Sequence, residues 1–187
     1  MVSTKGGKGG MLAKALKPLA TKVKKPGGKA KLTAAQRRAI LDQKRKKPKG
    51  DWLKGLNTKD KASFDKIQDA LNKSAARSND DIRKSLTQAQ LDAGKKHPKF
   101  RSTYVGSQIE KDVADRVASD PNIKHMGAGK PGQPVADFQI GNQHNVDITG
   151  GTKKSMDDHL VRNYYDHEDQ ILQYPTFDKK KLDDIFK

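Results

Sequence analysis

The chain has 187 residues, 39 Lys/Arg against 22 Asp/Glu, no cysteine and 33% hydrophobic residues, with a mean hydropathy of −0.94. Disulfides and thiolate metal sites are thereby excluded, the whole length is too polar to pack around one core, and no apolar run approaches the roughly 20 residues of a membrane-spanning helix. The net charge of +17 is concentrated at one end: residues 1–50 carry +15, residues 51–100 carry +4 and residues 101–187 carry −2.

Residues 1–32 combine Lys, Gly and Pro with few large apolar groups, which predicts a disordered basic arm without an ordinary signal peptide. Such an arm suits nucleic acid, anionic lipid or a delivery partner, or serves only as a solubilising tail. Residues 33–100 read as a helical segment. A helix over 33–47 starts at a Thr33–Gln36 capping box and stops at Pro48-Lys49-Gly50. Trp52 is a local packing anchor. A second helix over 58–74, capped by Thr58, carries Phe64, Ile67 and Leu71 on one stripe. A third, over 80–93 behind Asn79, has Ile82, Leu86 and Ala89 in phase. These narrow stripes fit a small helical layer leaning on something else.

From about residue 101 the chain changes character. "STYVGSQIEKDVADRVASD" is a strongly amphipathic helix, with Val105, Ile109, Val113 and Val117 spaced by four, ended by Asp120-Pro121-Asn122. "NIKHM" is a short strand, "GAGKPGQP" a loop without full phosphate-loop or dinucleotide spacing, and "VADFQI" and "HNVDIT" a hairpin joined at Gly141-Asn142. "TKKSMDDHLVRNYY" is a helix with Ser155 near its start, "DQILQYPTF" a strand and "DKKKLDDIFK" a terminal helix. Helix, strands, helix, strand is an α+β or α/β order.

The hairpin raises a question of chemistry, because Asp137 and Asp147 sit in apolar runs where a carboxylate is costly. Either they face water, or they share a partner such as a metal ion. Carboxylates at a sheet end, joined by Glu110 from the amphipathic helix, are hard oxygen ligands suited to Mg2+ or Mn2+. Such an ion activates water and offsets charge on a phosphodiester under attack. Thr149 lies two residues past Asp147, and Lys153, Lys154, His159 and Arg162 follow. His159 and Arg162, three apart on one helix, share a face and can reach one phosphate. Strand alternation sets a condition. If Gly141-Asn142 is a strict two-residue turn, residue 140 pairs with 143, and Asp147 points away from Asp137. A shared ion requires a three-residue connection or a bulge. Each candidate also has a plainer role: Asp137 and Asp147 as solvated or turn-capping acids, Glu110 as an exposed helix residue, His159 and Arg162 as partners of Asp157, Asp158 or Asp166. His125 and His144 read as structural, and Tyr164, Tyr165, Tyr174 and Phe177 as core aromatics.

"STYVGSQIEKDVADRV", "ADFQIGNQHNVDITGGTKKSMDDHLVRNYY" and "QILQYPTF" together resemble the C-terminal toxin domains of bacterial polymorphic toxin systems, in particular those of the restriction-endonuclease-like PD-(D/E)xK nuclease superfamily. The similarity covers residues 102–177. It implies an αβββαβ core within a toxin domain over 101–187. It also implies a Mg2+- or Mn2+-dependent endonuclease, with DNA favoured over RNA, and metal ligands at Glu110, Asp137 and Asp147. The family's lysine would fall on Thr149, a departure that leaves Lys153 or Lys154 to supply the charge. The resemblance further implies a toxin made in a bacterial cytoplasm and delivered through the basic arm. It would act in the target cytoplasm and be masked by a cognate, acidic immunity protein. Two alternatives stand beside it: a metal-independent ribonuclease toxin using His159 and Arg162 with another acid–base partner, and a non-enzymatic basic nucleic-acid-binding protein.

Overall fold

A computed structural model describes residues 32–127, 129, 135–162 and 164–187. The basic arm expected over residues 1–32 lies outside these residues save for Leu32, as does most of the glycine-rich loop before Val135.

Helix α1 (Ala34–Arg45) starts at the expected capping box: the Thr33 hydroxyl accepts from the Gln36 N–H while the Gln36 side chain accepts from the Thr33 N–H. A single turn, α2 (Asp51–Lys54), stacks the Trp52 ring edge-on against Phe64 at 5.5 Å. Helix α3 (Thr58–Ala75) is capped one residue earlier than expected, by the Asn57 side chain accepting from the Asp60 N–H. The single helix expected over 80–93 is instead two helices, α4 (Asn79–Ser85) and α5 (Gln88–Lys96). Thr87 and Gln90 form a second capping box there, which restarts the helix and resets its phase. Ala89 is consequently exposed, and Leu91 is buried in its place.

Helix α6 (Arg101–Val117) buries all four residues of its predicted stripe, Val105, Ile109, Val113 and Val117. Beyond it come β1 (Ile123–His125), β2 (Phe138–Ile140), β3 (His144–Gly150), α7 (Lys153–Leu160), β4 (Ile171–Tyr174) and α8 (Lys179–Ile185). The strands form one four-stranded sheet in the order β1-β2-β3-β4. The first three are an antiparallel meander, and β4 returns through α7 to lie parallel to β3. The molecule is therefore α+β, with helices and one mixed sheet sharing a core.

Alternation divides the sheet by face. Phe138, Ile140, Val146, Ile148 and Leu172 join Phe64, Ile67 and Leu71 of α3, the α6 stripe and Phe186 in the main core. Each such side chain contributes about 1.5–3 kcal/mol by leaving water. Residues 33–100 thus do not pack as a separate body: α3, α4 and α5 share the core on one face of the sheet that residues 101–187 provide. The opposite face packs Ile171 against Leu160, Tyr165 and Leu41 of α1 in a smaller cluster. Helix α1 also braces α7 directly. The Lys44 ammonium donates to the carbonyls of Leu160 and Arg162 at 2.8 and 2.7 Å, satisfying acceptors left open at the end of that helix. Arg37 pairs with Asp158 at 2.5 Å and Arg45 with Asp157. Among the described residues, no helix is long and apolar enough to cross a membrane.

Candidate active site

The hairpin register decides where its two aspartates go. Ile140 pairs with His144 and Phe138 with Val146, so the connection is Gly141-Asn142-Gln143, three residues rather than two. Gly141 and Asn142 both take left-handed backbone, with φ of 58° and 62°. A Cβ at Gly141 would also lie 2.6 Å from the Asp60 carboxylate, so that position requires glycine. The extra residue brings Asp137 level with Asp147. The Asp137 N–H donates to Asp147 Oδ1 at 3.2 Å, and Asp137 Oδ2 accepts from the Ile148 N–H at 2.8 Å.

Asp147 is fully buried, and its partners are His159 of α7 and Arg162, which lies two residues past the end of that helix because the helix expected through Tyr165 stops at Leu160. Arg162 Nη1 donates to Oδ2 at 2.8 Å, and the same oxygen contacts His159 Nδ1. Burial works to raise the pKa of Asp147. Hydrogen bonding from His159 and Asp137, with the His159 charge, outweighs it and holds the carboxyl below the usual carboxylate range. Asp137 is driven the other way. Burial, then the charge and hydrogen bonding of Asp147, then the charge of Glu110 push it up to about 9. Two neighbouring acids thus divide into one that is charged at neutral pH and one that keeps its proton.

Above this pair opens a cavity of about 540 Å³, to which α6 contributes Glu110, the residue before β2 Asp137, β3 Thr149, α7 His159 and the segment after it Arg162. Five of the candidate residues therefore share one wall system, with Asp147 beneath them rather than in the lining. Glu110 Oε1 is held 3.0 Å from His125 Nε2, so His125 orients an acid of the cavity, a role its isolated position in the sequence did not signal. Thr149 is buried and shares a hydrogen bond with the Ser155 hydroxyl on the first turn of α7. Arg162 lines the cavity together with Thr149 and brings a positive charge to it. Lys153 and Lys154 do not bring it, because each points into solvent and pairs along its own helix, with Asp157 at 3.4 Å and Asp158 at 2.7 Å.

The tyrosines were expected in the core, and two of them also border the site. Tyr165 is fully buried, its hydroxyl has no hydrogen-bond partner among the described residues, and burial followed by the Asp147 charge raises its pKa far above the ordinary tyrosine value. Tyr174 lines the cavity, and burial, then the charges of Asp137 and Glu110, push it up to about 12. A Cβ at Gly106 would lie 2.9 Å from the Tyr174 hydroxyl, so glycine on α6 makes room for that ring. Nothing in the period of the sequence distinguishes these rings from ordinary core.

The donor set can be tested against the expected divalent ion. Glu110 and Asp137 offer hard oxygens to the cavity. Asp147 has both oxygens engaged, by the Asp137 N–H on one side and by His159 and Arg162 on the other. Among the described residues, no three His, Asp or Glu side chains are grouped closely enough to hold a metal ion. As arranged, the three acids are not a closed cation site. Comparison of the chain with family models, with curated proteins and with solved structures gave no match.

Proposed function

We propose that this protein is a nuclease that hydrolyses phosphodiester bonds of DNA or RNA in the cavity above Asp147, and that it acts as a delivered antibacterial toxin. The observation that carries the proposal is the joining of His159, Arg162 and Asp137 around one cavity, with Asp147 buried behind them. The order of elements lends support. Helix α6, the β1–β2–β3 meander, helix α7 and a parallel β4 follow the αβββαβ sequence that the restriction-endonuclease-like resemblance implies. An acidic immunity partner and an N-terminal delivery arm belong to the same proposal, supported by the +15 charge of residues 1–50.

The chain's own residues supply a route. With Nδ1 committed to Asp147, the other ring nitrogen of His159, Nε2, which has no hydrogen-bond partner among the described residues, takes a proton from a water attacking phosphorus. Arg162, half-exposed at the cavity wall, offers its remaining N–H groups to the phosphoryl oxygens as their charge grows. The Asp137 carboxyl, protonated at neutral pH, gives its proton to the departing oxygen as the P–O bond breaks.

A second reading replaces the Asp137 proton by Mg2+ or Mn2+. One observation favours it: the charges of Asp147 and Glu110 both crowd Asp137, and a cation would relieve that repulsion. Glu110 and Asp137 would then hold the ion, with Asp147 joining only after releasing His159 or Arg162. A bound ion would supply an activated water and charge neutralisation. One experiment separates the readings: plasmid DNA and total RNA are incubated with the full chain, in EDTA and in Mg2+. The acid–base route predicts cleavage in both conditions, and the cation route predicts cleavage in Mg2+ alone. Binding without turnover in either condition contradicts the nuclease proposal.

A further inference from the structure

The corner between α5 and α6 combines features that the catalytic cavity does not use. A 3-10 turn, Pro98–Phe100, links the two helices, with the Phe100 N–H donating to the His97 carbonyl at 3.0 Å. Arg101 fastens the corner from below, donating from Nε to the Gly94 carbonyl at 2.8 Å and pairing with Asp183. On this fixed base Phe100 is 41% exposed, and among the described residues only Leu32 is a comparably open large apolar side chain. The Lys99 ammonium lies 5.1 Å from the Phe100 ring centroid, and the rings of His97 and Tyr104 flank it at 6.0 and 6.3 Å.

The segment that carries this ring has charge of one sign, and the Asp183 carboxylate that reaches the corner is taken by Arg101. Residues 93–109 contain no acid, and Lys95, Lys96 and Lys99 are all exposed. Among the described residues, Lys95, Lys96 and Lys99 form no ion pair with a carboxylate, so their charges stay available. The patch also adjoins the cavity, whose lining includes Ser102 and Thr103, two and three residues beyond Phe100. An exposed, firmly seated aromatic face among unmatched cations complements a chain of stacked bases joined by phosphates. A groove for an apolar helix would not need the lysines, and a purely electrostatic footprint would not need the ring.

We propose that residues 95–100 form a platform for single-stranded nucleic acid leading into the cavity, with one base stacked on Phe100 and the neighbouring phosphates met by Lys95, Lys96 and Lys99. The destination of the strand rests on the nuclease reading above, whereas its binding does not. The probes are fluorescein-labelled eight-nucleotide oligo-dT and oligo-U, bound to the full chain in EDTA with His159→Ala as the common background. Phe100→Ala and Phe100→Leu each weaken binding about tenfold, and Phe100→Trp keeps it, because stacking needs a π face and not merely an apolar one. The triple variant Lys95→Gln, Lys96→Gln, Lys99→Gln lowers the slope of log affinity against log salt by about 2, from about 0.7 per phosphate contact on a single strand. Phe100→Leu binding as well as wild type, or an unchanged salt slope in the triple variant, overturns the platform. The two proposals fail separately. Phe100-dependent binding by a protein that cuts neither DNA nor RNA upholds the platform and removes the nuclease. Cleavage at an unchanged KM in Phe100→Ala does the reverse.

Discussion

Asp60 and Asp147 are each buried beside a histidine, and they differ in what the partners can do. Asp60, 3% exposed, is held by amides: Asn57 Nδ2 at 2.7 Å and Asn122 Nδ2 at 2.8 Å. His144 lies 3.5 Å away, with its ring edge-on to Trp52, and Gly141 of the hairpin turn packs directly on the carboxylate. None of these groups lines the cavity, and the cluster pins the turn to α3. Asp147 is buried just as deeply, but its partners His159 and Arg162 have free ends that open on a cavity. A buried acid satisfied by amides fastens a fold, whereas one satisfied by titratable groups facing solvent sets their orientation and charge for chemistry.

Substituting the two histidines should break this symmetry with the largest effect. His159→Ala is expected to lower the rate of nucleic-acid cleavage by about 10²–10⁴-fold, the ordinary worth of a positioned acid–base group. His144→Ala should leave the rate near that of wild type and cost about 1 kcal/mol of stability through lost packing and a weakened hydrogen-bond network. Steady-state kinetics and urea unfolding on both variants check the contrast. Equal losses of activity would place the two regions in one class.

A smaller effect sharpens the contrast within the site. Asp137 has a folded pKa near 9 against about 3.9 in an unfolded chain, so the folded state binds the extra proton between these values. The stability this lends is complete below pH 4 and is lost as pH rises towards 9. In EDTA, wild-type stability should therefore decline across that range. Asp137→Asn should remove that part of the decline, so that the variant gains on wild type steadily as pH rises from 4 towards 9. Parallel pH profiles for the two proteins would show that Asp137 titrates as an ordinary carboxyl.

How far these features can be read from residues alone follows from their range along the chain. The α6 stripe and the Thr33 cap are local, and both stand as the periodicity predicts. The break at Leu86-Thr87 is also local, but Thr87–Gln90 lies inside a run whose apolar spacing suits one continuous helix, so the phase reset was hidden. The site depends on longer-range facts. Glu110, Asp137, Thr149, His159 and Arg162 were legible as residue types at suggestive spacing. Whether the two aspartates met depended on one extra residue in the turn, set where Gly141 packs on Asp60, far away in sequence. Lys153 looked able to supply a cation, but the orientation of the first turn of α7 sends it to solvent, and Arg162 reaches Asp147 from the far end of that helix. Nor does strand alternation tell an acid that lines the cavity from one buried beneath it, where Asp147 lies.

The sharpest measurement is single-turnover cleavage by Asp147→Asn and Asp60→Asn side by side, each with its unfolding curve. An Asp147→Asn protein that stays folded but cuts at least about 100-fold more slowly, next to an Asp60→Asn protein that is less stable yet cuts at close to the wild-type rate, is the predicted result. Wild-type cleavage by Asp147→Asn, or losses in both variants that merely follow their stability, would contradict a catalytic role for the acid beneath the cavity.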